Sequence, residues 1–423
     1  MDIGILGLGP VGSSFLNVVP NYGHRVVAYD INPDKMTNLP EDAIPARNEE
    51  EVGARSDLLL ACTDMLSGSA VTKAVSAMRD GRVVCDDFSA KTPAYNAYKA
   101  ANRELPYYSI HTMFAPSLGF DGQLIVEIPV MYCTDDDGQE NPYIAEFREV
   151  LTREGAKIKR IWSVRDHDER MGRIQGAVSA AGICTARTFA ELGVNPLEDG
   201  NIYHGNELDR ANFWMSLRAI GPEGSSNPTV YGLIALMNPF SFANISEYYT
   251  QLMNLVDGDK KQVDEMLEEA VVGLGSERVR QGAKTWDRCF GPMGDFGNSY
   301  SSHLATACHW SRGSPLEIFA ETPSPPYRMR ERMALKALSM YPRCVENMSR
   351  GDTHDREFLD TVGKYMQWIG RDADEVEANR QIGWERIRMF EEEFFTPVRE
   401  AFPDEIKRAP AESGAMIKKL MQA

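Results

Sequence analysis

The first 162 residues alternate short apolar runs with segments of helical periodicity. Short runs rich in Val, Ile and Leu favour buried strands, and apolar residues spaced three or four apart between them favour helices. This alternation predicts an α/β domain built on a doubly wound parallel sheet. The predicted strands are 2–6, 25–29, 57–62, 82–87, 107–110, 124–133 and 157–162, and the helices between them include 66–79, 92–103 and 142–154. Pro129 predicts an edge position for its strand, because proline cannot donate to a sheet ladder.

From Asp166 onward the pattern becomes helical. Asp166 and Glu169 resemble a capping box, and Gly193 is typical of a helix C-terminus. Helical periodicity also predicts segments at about 208–219, 228–237, 241–256, 259–273, 328–341 and 354–399. The stretch 283–327 is rich in Gly, Ser, Pro and aromatic residues, which favours irregular structure. The chain is therefore predicted to contain a nucleotide-binding domain (1–162), an all-α substrate and dimerisation domain (163–282), and a mostly helical extension with an irregular start (283–423).

A glycine-rich turn follows the first strand, at Gly7-Leu8-Gly9-Pro10-Val11-Gly12. The first glycine allows a tight turn, the second lets backbone amides approach a pyrophosphate, and the third permits close helix–strand packing. Asp30 follows the second strand, where a carboxylate can accept hydrogen bonds from a ribose 2′-hydroxyl and would repel a 2′-phosphate. The sequence therefore predicts a Rossmann-like site for NAD rather than NADP.

The composition of the chain disfavours several classes of function. The net charge of −17 disfavours binding to nucleic acid or to anionic membrane surfaces. The seven cysteines are scattered without a Cys-x-x-Cys pair, and neither they nor the seven histidines show metal-ligand spacing. We expect a cytoplasmic protein with reduced thiols, no metal and no membrane segment.

Three polar residues follow predicted strand ends, namely Thr63, Ser89 and His111. Carboxyl ends of parallel strands share one sheet edge, so these side chains are predicted to lie beside the glycine turn. A neutral imidazole can accept the hydroxyl proton when an alcohol is dehydrogenated. A histidine or serine at a strand end can equally serve as a structural cap.

Three segments form a recognisable set: Asp87-Phe88-Ser89-Ala90-Lys91, then Ile110-His111-Thr112-Met113-Phe114-Ala115-Pro116, then His167-Asp168 with Gln175. Together they resemble the prephenate/arogenate dehydrogenase family. The likeness continues through Met215 to Ile220 and from Tyr231 to Pro239, where it is greatest to the fungal-type members, and it extends over residues 1 to about 280.

The resemblance implies NAD-dependent oxidative decarboxylation of prephenate, and a homodimer formed through the helical domain. It implies that His111 is the catalytic base, that Ser89 assists it beside the nicotinamide, and that Arg218 binds the ring carboxylate. Thr63 is predicted to contact the cofactor from its position at a strand end. Gln175 and Ser179 would contact the substrate, whereas His167 is predicted to belong to a helix N-terminus rather than to the chemistry.

Two departures from the family pattern leave the substrate open. Ser179 stands where the family has a histidine, and Thr112 and Ala115 replace a proline and a glycine. Arogenate and 4-amino-4-deoxyprephenate therefore stay as alternative substrates, and a non-catalytic NAD sensor as an alternative function. β-Hydroxyacid dehydrogenases resemble one another in using a lysine early in the helical domain. This chain has no lysine between Lys159 and Lys260, which disfavours that family.

Overall fold

A computed structural model of the protein describes residues 1–114, 116–135, 137–198, 206–223, 228–294, 296–313, 325–351, 354–377 and 384–422. The chain divides into two compact units. Unit 1 comprises Met1–Glu169, and unit 2 begins at Arg170.

Unit 1 is built on an 8-stranded sheet with the order β3-β2-β1-β4-β5-β6-β7-β8. Neighbouring strands pair in parallel, except that β6 and β7 pair antiparallel. The predicted doubly wound, mostly parallel sheet is confirmed. The strands are β1 (Asp2–Leu6), β2 (Arg25–Tyr29), β3 (Ala43–Pro45), β4 (Leu58–Ala61), β5 (Val83–Asp86), β6 (Tyr107–Thr112), β7 (Leu124–Met131) and β8 (Lys157–Arg160).

Helices connect these strands and cover the sheet. They are α1 (Pro10–Val18), α2 (Pro33–Met36), α3 (Glu49–Arg55), α4 (Gly68–Ala77), α5 (Lys91–Ala100), α6 (Pro142–Arg153) and α7 (Val164–Met171), with short 3₁₀ turns at Val19–Tyr22 and Pro116–Leu118. Strand β4 is buried at every position, which explains its uninterrupted apolar sequence. On one face of the sheet, Phe15 packs against Phe120 and Phe147 with ring centroids 5.3 and 6.0 Å apart.

The edge position predicted from Pro129 is wrong, because β7 lies between β6 and β8. Pairing with β8 ends at Glu127, so Pro129 lies beyond the last of those pairs. On the other side Pro129 stands opposite Tyr108, where the β6–β7 register shifts. Its missing N–H therefore falls where the ladder is already interrupted.

Unit 2 is mostly helical, and its described residues include no strand. After α7, a π-helical turn (Gly172–Gly176) leads into α8 (Ala177–Leu192). The helices that follow are α9 (Glu207–Ile220), α10 (Leu233–Met237), α11 (Ser241–Asp257), α12 (Lys260–Leu274), α13 (Ser276–Phe290), α14 (Ser301–Ser311), α15 (Pro325–Ser339), α16 (Tyr341–Arg350), α17 (Asp355–Glu377), α18 (Trp384–Phe390), α19 (Thr396–Ala401) and α20 (Pro403–Met421), with π-helical turns at Pro228–Gly232 and Glu391–Phe395.

Two expectations about the helical part need correction. The helix expected to start at Asp166 begins at Val164, and the Ser163 hydroxyl accepts the N–H of Asp166. The stretch expected to be irregular contains α14, whose residues are almost all buried, because its small and aromatic side chains pack into the unit. Gly193 ends α8 in the left-handed conformation, with φ of 63°, as predicted.

The glycine turn explains how α1 packs against the sheet. Gly7 has a φ of +93°, and a Cβ there would lie 2.8 Å from the carbonyl oxygen of Cys62. A Cβ on Gly12 would overlap the carbonyl oxygen of Gly7. Gly9 differs, because no heavy atom of the described residues lies within 4 Å of the position its Cβ would take, apart from those of the adjoining chain and helix backbone. Gly7 and Gly12 are therefore required by packing, whereas Gly9 leaves an open space at the start of α1.

We expect Gly12→Ala to destabilise the protein and Gly9→Ala to leave it nearly as stable as wild type. The new methyl at residue 12 meets backbone that cannot move away, a cost of about 3 kcal/mol. At residue 9 the backbone already has dihedrals that alanine adopts, and a helix cap change costs about 1 kcal/mol or less. Urea denaturation of both variants measures this difference. Equal losses of stability would contradict the packing argument.

Candidate active site

The first part of the site is the glycine turn, together with the residues that hold it. The Asp30 carboxylate follows β2 and accepts the backbone N–H of Leu8 at 2.6 Å and that of Asn32 at 2.8 Å. Lys35 donates its ammonium to the Leu8 carbonyl at 2.8 Å. Asp30 thus binds the backbone N–H of Leu8, and Lys35 binds its carbonyl oxygen. The sequence did not indicate these two contacts. An ionised carboxylate accepts about four hydrogen bonds, so Asp30 retains capacity for a ribose hydroxyl.

A dinucleotide fits this turn. The strand order reverses beside β1, between β1 and β4, and crevices at such a reversal receive ligands in open α/β sheets. The open space at Gly9 lies at the N-terminus of α1, where the helix dipole favours phosphate. Pro10 occupies the first helical position, where no N–H is lost from the helix ladder.

Thr63 and Ser89 follow neighbouring parallel strands, β4 and β5, as predicted. Both are half-buried, and the Thr63 hydroxyl donates to the carbonyl of Asp64 at 3.2 Å. His111 was expected just after its strand, but β6 extends to Thr112, so His111 lies within it. The three residues therefore lie at or just beyond the carboxyl ends of three adjacent parallel strands, on the same sheet edge as the glycine turn.

His111 belongs to a buried chain of hydrogen bonds that includes His167 and Asp168. The His111 Nδ1 lies 2.9 Å from the His167 Nε2, and the His167 Nδ1 lies 2.8 Å from an Asp168 carboxylate oxygen. His111 is 3% exposed, and His167 and Asp168 are fully buried. His167 lies in the first turn of α7, as predicted, yet it contacts the very imidazole that the sequence singled out.

Asp168 also accepts hydrogen bonds at the N-terminus of α5. The backbone N–H groups of Lys91 and Thr92 donate to it at 2.7 and 2.8 Å, and the Thr92 hydroxyl donates at 2.7 Å. Burial by itself would raise the pKa of Asp168, but its hydrogen bonds from His167, Lys91 and Thr92 hold that pKa below its ordinary value. Asp168 is therefore ionised near neutral pH.

Lys91 is a fully buried cation close to His111. Its ammonium forms an ion pair with Asp86 at 2.8 Å and donates to the carbonyl of Ile110. The Tyr107 hydroxyl donates to the other oxygen of Asp86 at 2.7 Å. Burial, then the neighbouring His167 and Lys91, hold the pKa of the His111 imidazole well below its usual value of 6.5. His111 is thus neutral at pH 7 and able to accept a proton.

The sequence motifs contained His167, Asp168 and Lys91 but did not identify their contacts. Histidine followed by aspartate in a helical first turn is a weak signal, since such residues usually cap helices. The contact depends on how α7 packs against α5 and β6, which no local pattern encodes.

The remaining predicted residues lie in unit 2. Gln175 lies in the π-helical turn and Ser179 in α8, and both are buried. Arg218 is half-buried in the last turn of α9 and donates to the Ser413 hydroxyl at 3.2 Å. Gly176 lets this turn pack closely against α11, because a Cβ at that position would lie only 2.6 Å from the Ser241 hydroxyl oxygen.

The described residues contain no cluster of three or more His, Cys, Asp or Glu side chains arranged to hold a metal. In the part of the chain that the structure describes, no helix is long and apolar enough to cross a membrane. All seven cysteines are buried free thiols.

Comparison with known proteins gives a sequence match and a set of structural likenesses. The chain is 27% identical over 173 residues to the 4-amino-4-deoxyprephenate dehydrogenase of Streptomyces pristinaespiralis, a stretch covering 41% of this chain and 52% of that enzyme. The match therefore spans about half the length of that relative. No family model matches the chain.

Two solved structures are also similar in fold. The arogenate dehydrogenase of Synechocystis has a TM-score of 0.43 at 16% identity, covering 66% of this chain and all of that protein. A protein from Corynebacterium glutamicum assigned as a prephenate dehydrogenase has a TM-score of 0.48 at 18% identity, covering 67% of this chain and 89% of that protein. The fold assignment itself rests on the strand order above. The sequence match is to an enzyme of the kind that the short motifs resemble, so it supports the resemblance to the prephenate/arogenate dehydrogenase family. The likeness to fungal-type members stays a prediction.

Proposed function

We propose that this protein is an NAD-dependent dehydrogenase that oxidatively decarboxylates a cyclohexadienyl acid, either prephenate or a close analogue. The observation that carries the proposal is the buried, neutral His111 imidazole on the same sheet edge as the glycine turn. A proton acceptor beside a dinucleotide site is the minimum that dehydrogenation of an alcohol requires.

The residues of the glycine turn would hold the cofactor. The pyrophosphate would be held by the backbone of Gly7, Leu8, Gly9, Pro10, Val11 and Gly12. Asp30 would accept a hydrogen bond from the adenosine ribose, and Thr63 and Ser89 would contact the nicotinamide. NAD, when bound, supplies the acceptor for the hydride that leaves C4 of the substrate.

His111 takes the proton of the C4 hydroxyl as that carbon is oxidised. The C1 carboxylate departs as carbon dioxide, its bonding electrons complete the aromatic ring, and the proton returns from His111 to the phenolate oxygen. Arg218 binds the carboxylate of the substrate, a task suited to a guanidinium because it is always charged and grips two oxygens in parallel. Gln175 and Ser179 contact the substrate ring, and Ser89 assists His111.

The substrate has a second candidate, 4-amino-4-deoxyprephenate. The Streptomyces relative carries that activity in its name. Ser179, where the family resemblance expects a histidine, also fits a changed C4 substituent, because serine is shorter and carries no charge. Arogenate is the third acid to test. A homodimer formed through the helical part is also proposed, on the family resemblance.

We expect His111→Asn to lower kcat by about two to four orders of magnitude with little change in the dissociation constant of NAD. The reason is that asparagine cannot accept the hydroxyl proton. Formation of NADH is followed by absorbance with prephenate, arogenate and 4-amino-4-deoxyprephenate in turn. His354→Asn is a matched control, since His354 lies in unit 2 at a left-handed φ of 52°, which asparagine tolerates.

If wild-type protein bound NAD but reduced none of it with any of the three acids, the enzyme proposal would fail and the NAD sensor would be favoured. Undiminished turnover by His111→Asn would instead remove His111 from the role of base.

We expect Arg218→Ala to raise KM for the substrate at least about tenfold, while kcat changes less, because a carboxylate contact is lost. Steady-state kinetics measure both parameters. Arg210→Ala is the control on the same helix, since Arg210 is exposed and paired only loosely with Glu207 at 3.5 Å. A KM that is equal in both variants would argue against carboxylate binding by Arg218.

Replacing Asp30 should relax the preference for NAD over NADP. Asp30→Asn removes the charge that repels a 2′-phosphate but keeps one acceptor oxygen for the Leu8 or Asn32 N–H, whereas Asp30→Ala removes both. We expect the ratio of kcat/KM for NAD to that for NADP to fall at least about tenfold in both variants, which is roughly 1.4 kcal/mol. An unchanged ratio would show that Asp30 does not set cofactor choice.

A further inference from the structure

The hydrogen bonds around Asp168 determine where the protons of two histidines lie. Asp168 is ionised and fully buried, so it can only accept hydrogen bonds. The His167 Nδ1 at 2.8 Å must therefore carry a proton and donate it. Burial lowers the pKa of His167, although the hydrogen bond to Asp168 opposes this, so the ring is neutral near pH 7 and its Nε2 is an acceptor.

The same reasoning extends one ring further. The His167 Nε2 accepts at 2.9 Å from the His111 Nδ1, so the proton of neutral His111 lies on Nδ1. The lone pair of His111 is consequently on Nε2, the ring nitrogen turned away from His167. Without this contact an imidazole can carry its proton on either nitrogen, and one of the two forms has no lone pair on Nε2.

We propose that His167 and Asp168 are positioning residues that hold the His111 imidazole in one tautomer and one orientation, with Nε2 as its proton acceptor. The inference rests on the proposed function for its consequence in turnover, but the tautomer itself does not depend on any substrate. His167 and Asp168 lie on adjacent positions of α7, and Asp168 is immobilised by the N-terminus of α5.

The arrangement also stabilises the charge that develops on His111. When His111 Nε2 takes the substrate proton, its Nδ1–H still donates to His167, and His167 still donates to the Asp168 carboxylate. The positive charge on His111 is thus linked to a negative charge through two hydrogen bonds. The proton on His167 does not have to move for this to occur.

Two substitutions of His167 separate positioning from packing. Glutamine reaches the site of the lost Nε2, so His167→Gln can still accept from the His111 Nδ1. Asparagine reaches only the site of the lost Nδ1, so His167→Asn can still contact Asp168 but offers no acceptor to His111. We expect His167→Asn to lower kcat about 100-fold, and His167→Gln to stay within about tenfold of wild type, with KM and NAD affinity little changed in both.

Thr92→Val tests whether Asp168 acts only as a helix cap. This substitution removes the hydrogen bond that the Thr92 hydroxyl donates to Asp168 at 2.7 Å and leaves the one that the His167 Nδ1–H donates to Asp168 in place. We expect stability to fall while kcat remains near that of wild type. A loss of kcat in Thr92→Val as large as in His167→Asn would overturn the positioning role.

The tautomer can be read directly by ¹⁵N NMR of protein labelled at histidine, with His111→Asn used to assign the His111 signals. We expect His111 to be protonated at Nδ1 in wild type and to change to the Nε2-protonated form, or to a mixture, in His167→Asn. Protonation of wild-type His111 at Nε2 would overturn the inference whether or not the protein turns over any acid. Absence of turnover together with an Nδ1-protonated His111 would instead count against the proposed function alone.

Discussion

The buried carboxylate of Asp168 is the interaction on which the rest of the site depends. A charge with no access to water is stable only when donors surround it, and Asp168 has two backbone N–H groups, a hydroxyl and an imidazole N–H around it. Its position at the N-terminus of α5 adds the favourable field of the helix dipole. Because these donors come from α5 and α7, the carboxylate fixes both helices with respect to His111.

A buried ion pair between Lys91 and Asp86 lies beside Asp168. Lys91 is fully buried against Asp86, and breaking such a pair by removing one partner typically costs about 3–5 kcal/mol. The Lys91 ammonium also binds the carbonyl of Ile110, the residue before His111. Burial, together with His167 and the Lys91 cation, keeps His111 neutral and able to accept a proton. The buried Asp168 carboxylate acts in the opposite direction, because a negative charge stabilises the imidazolium that forms once the proton has been accepted.

The glycine turn is likewise held by hydrogen bonds between charged side chains and backbone groups. Asp30 and Lys35 bind the backbone at Leu8, so the turn has polar support from the end of β2 and from α2. Asp30 therefore combines a structural contact with its proposed contact to ribose. A side chain that serves both purposes couples the shape of the turn to the identity of the cofactor.

The sequence by itself determined the sheet-containing unit 1 in some detail. The bounds of β1 and β2, the glycine turn, Asp30 and the parallel sheet follow from apolar runs and from turn chemistry, which are local properties of the chain. The family resemblance likewise followed from short motifs. The sequence did not indicate the last two residues of β6, the position of β7 between two other strands, or the helix α14, because neighbouring elements decide these features. The tertiary structure alone decided that His167 and Asp168 contact His111, because residues 56 positions apart meet only after α7 packs beside β6. Hydrogen-bond partners of a buried charge are chosen by the fold, and no periodicity along the chain records them.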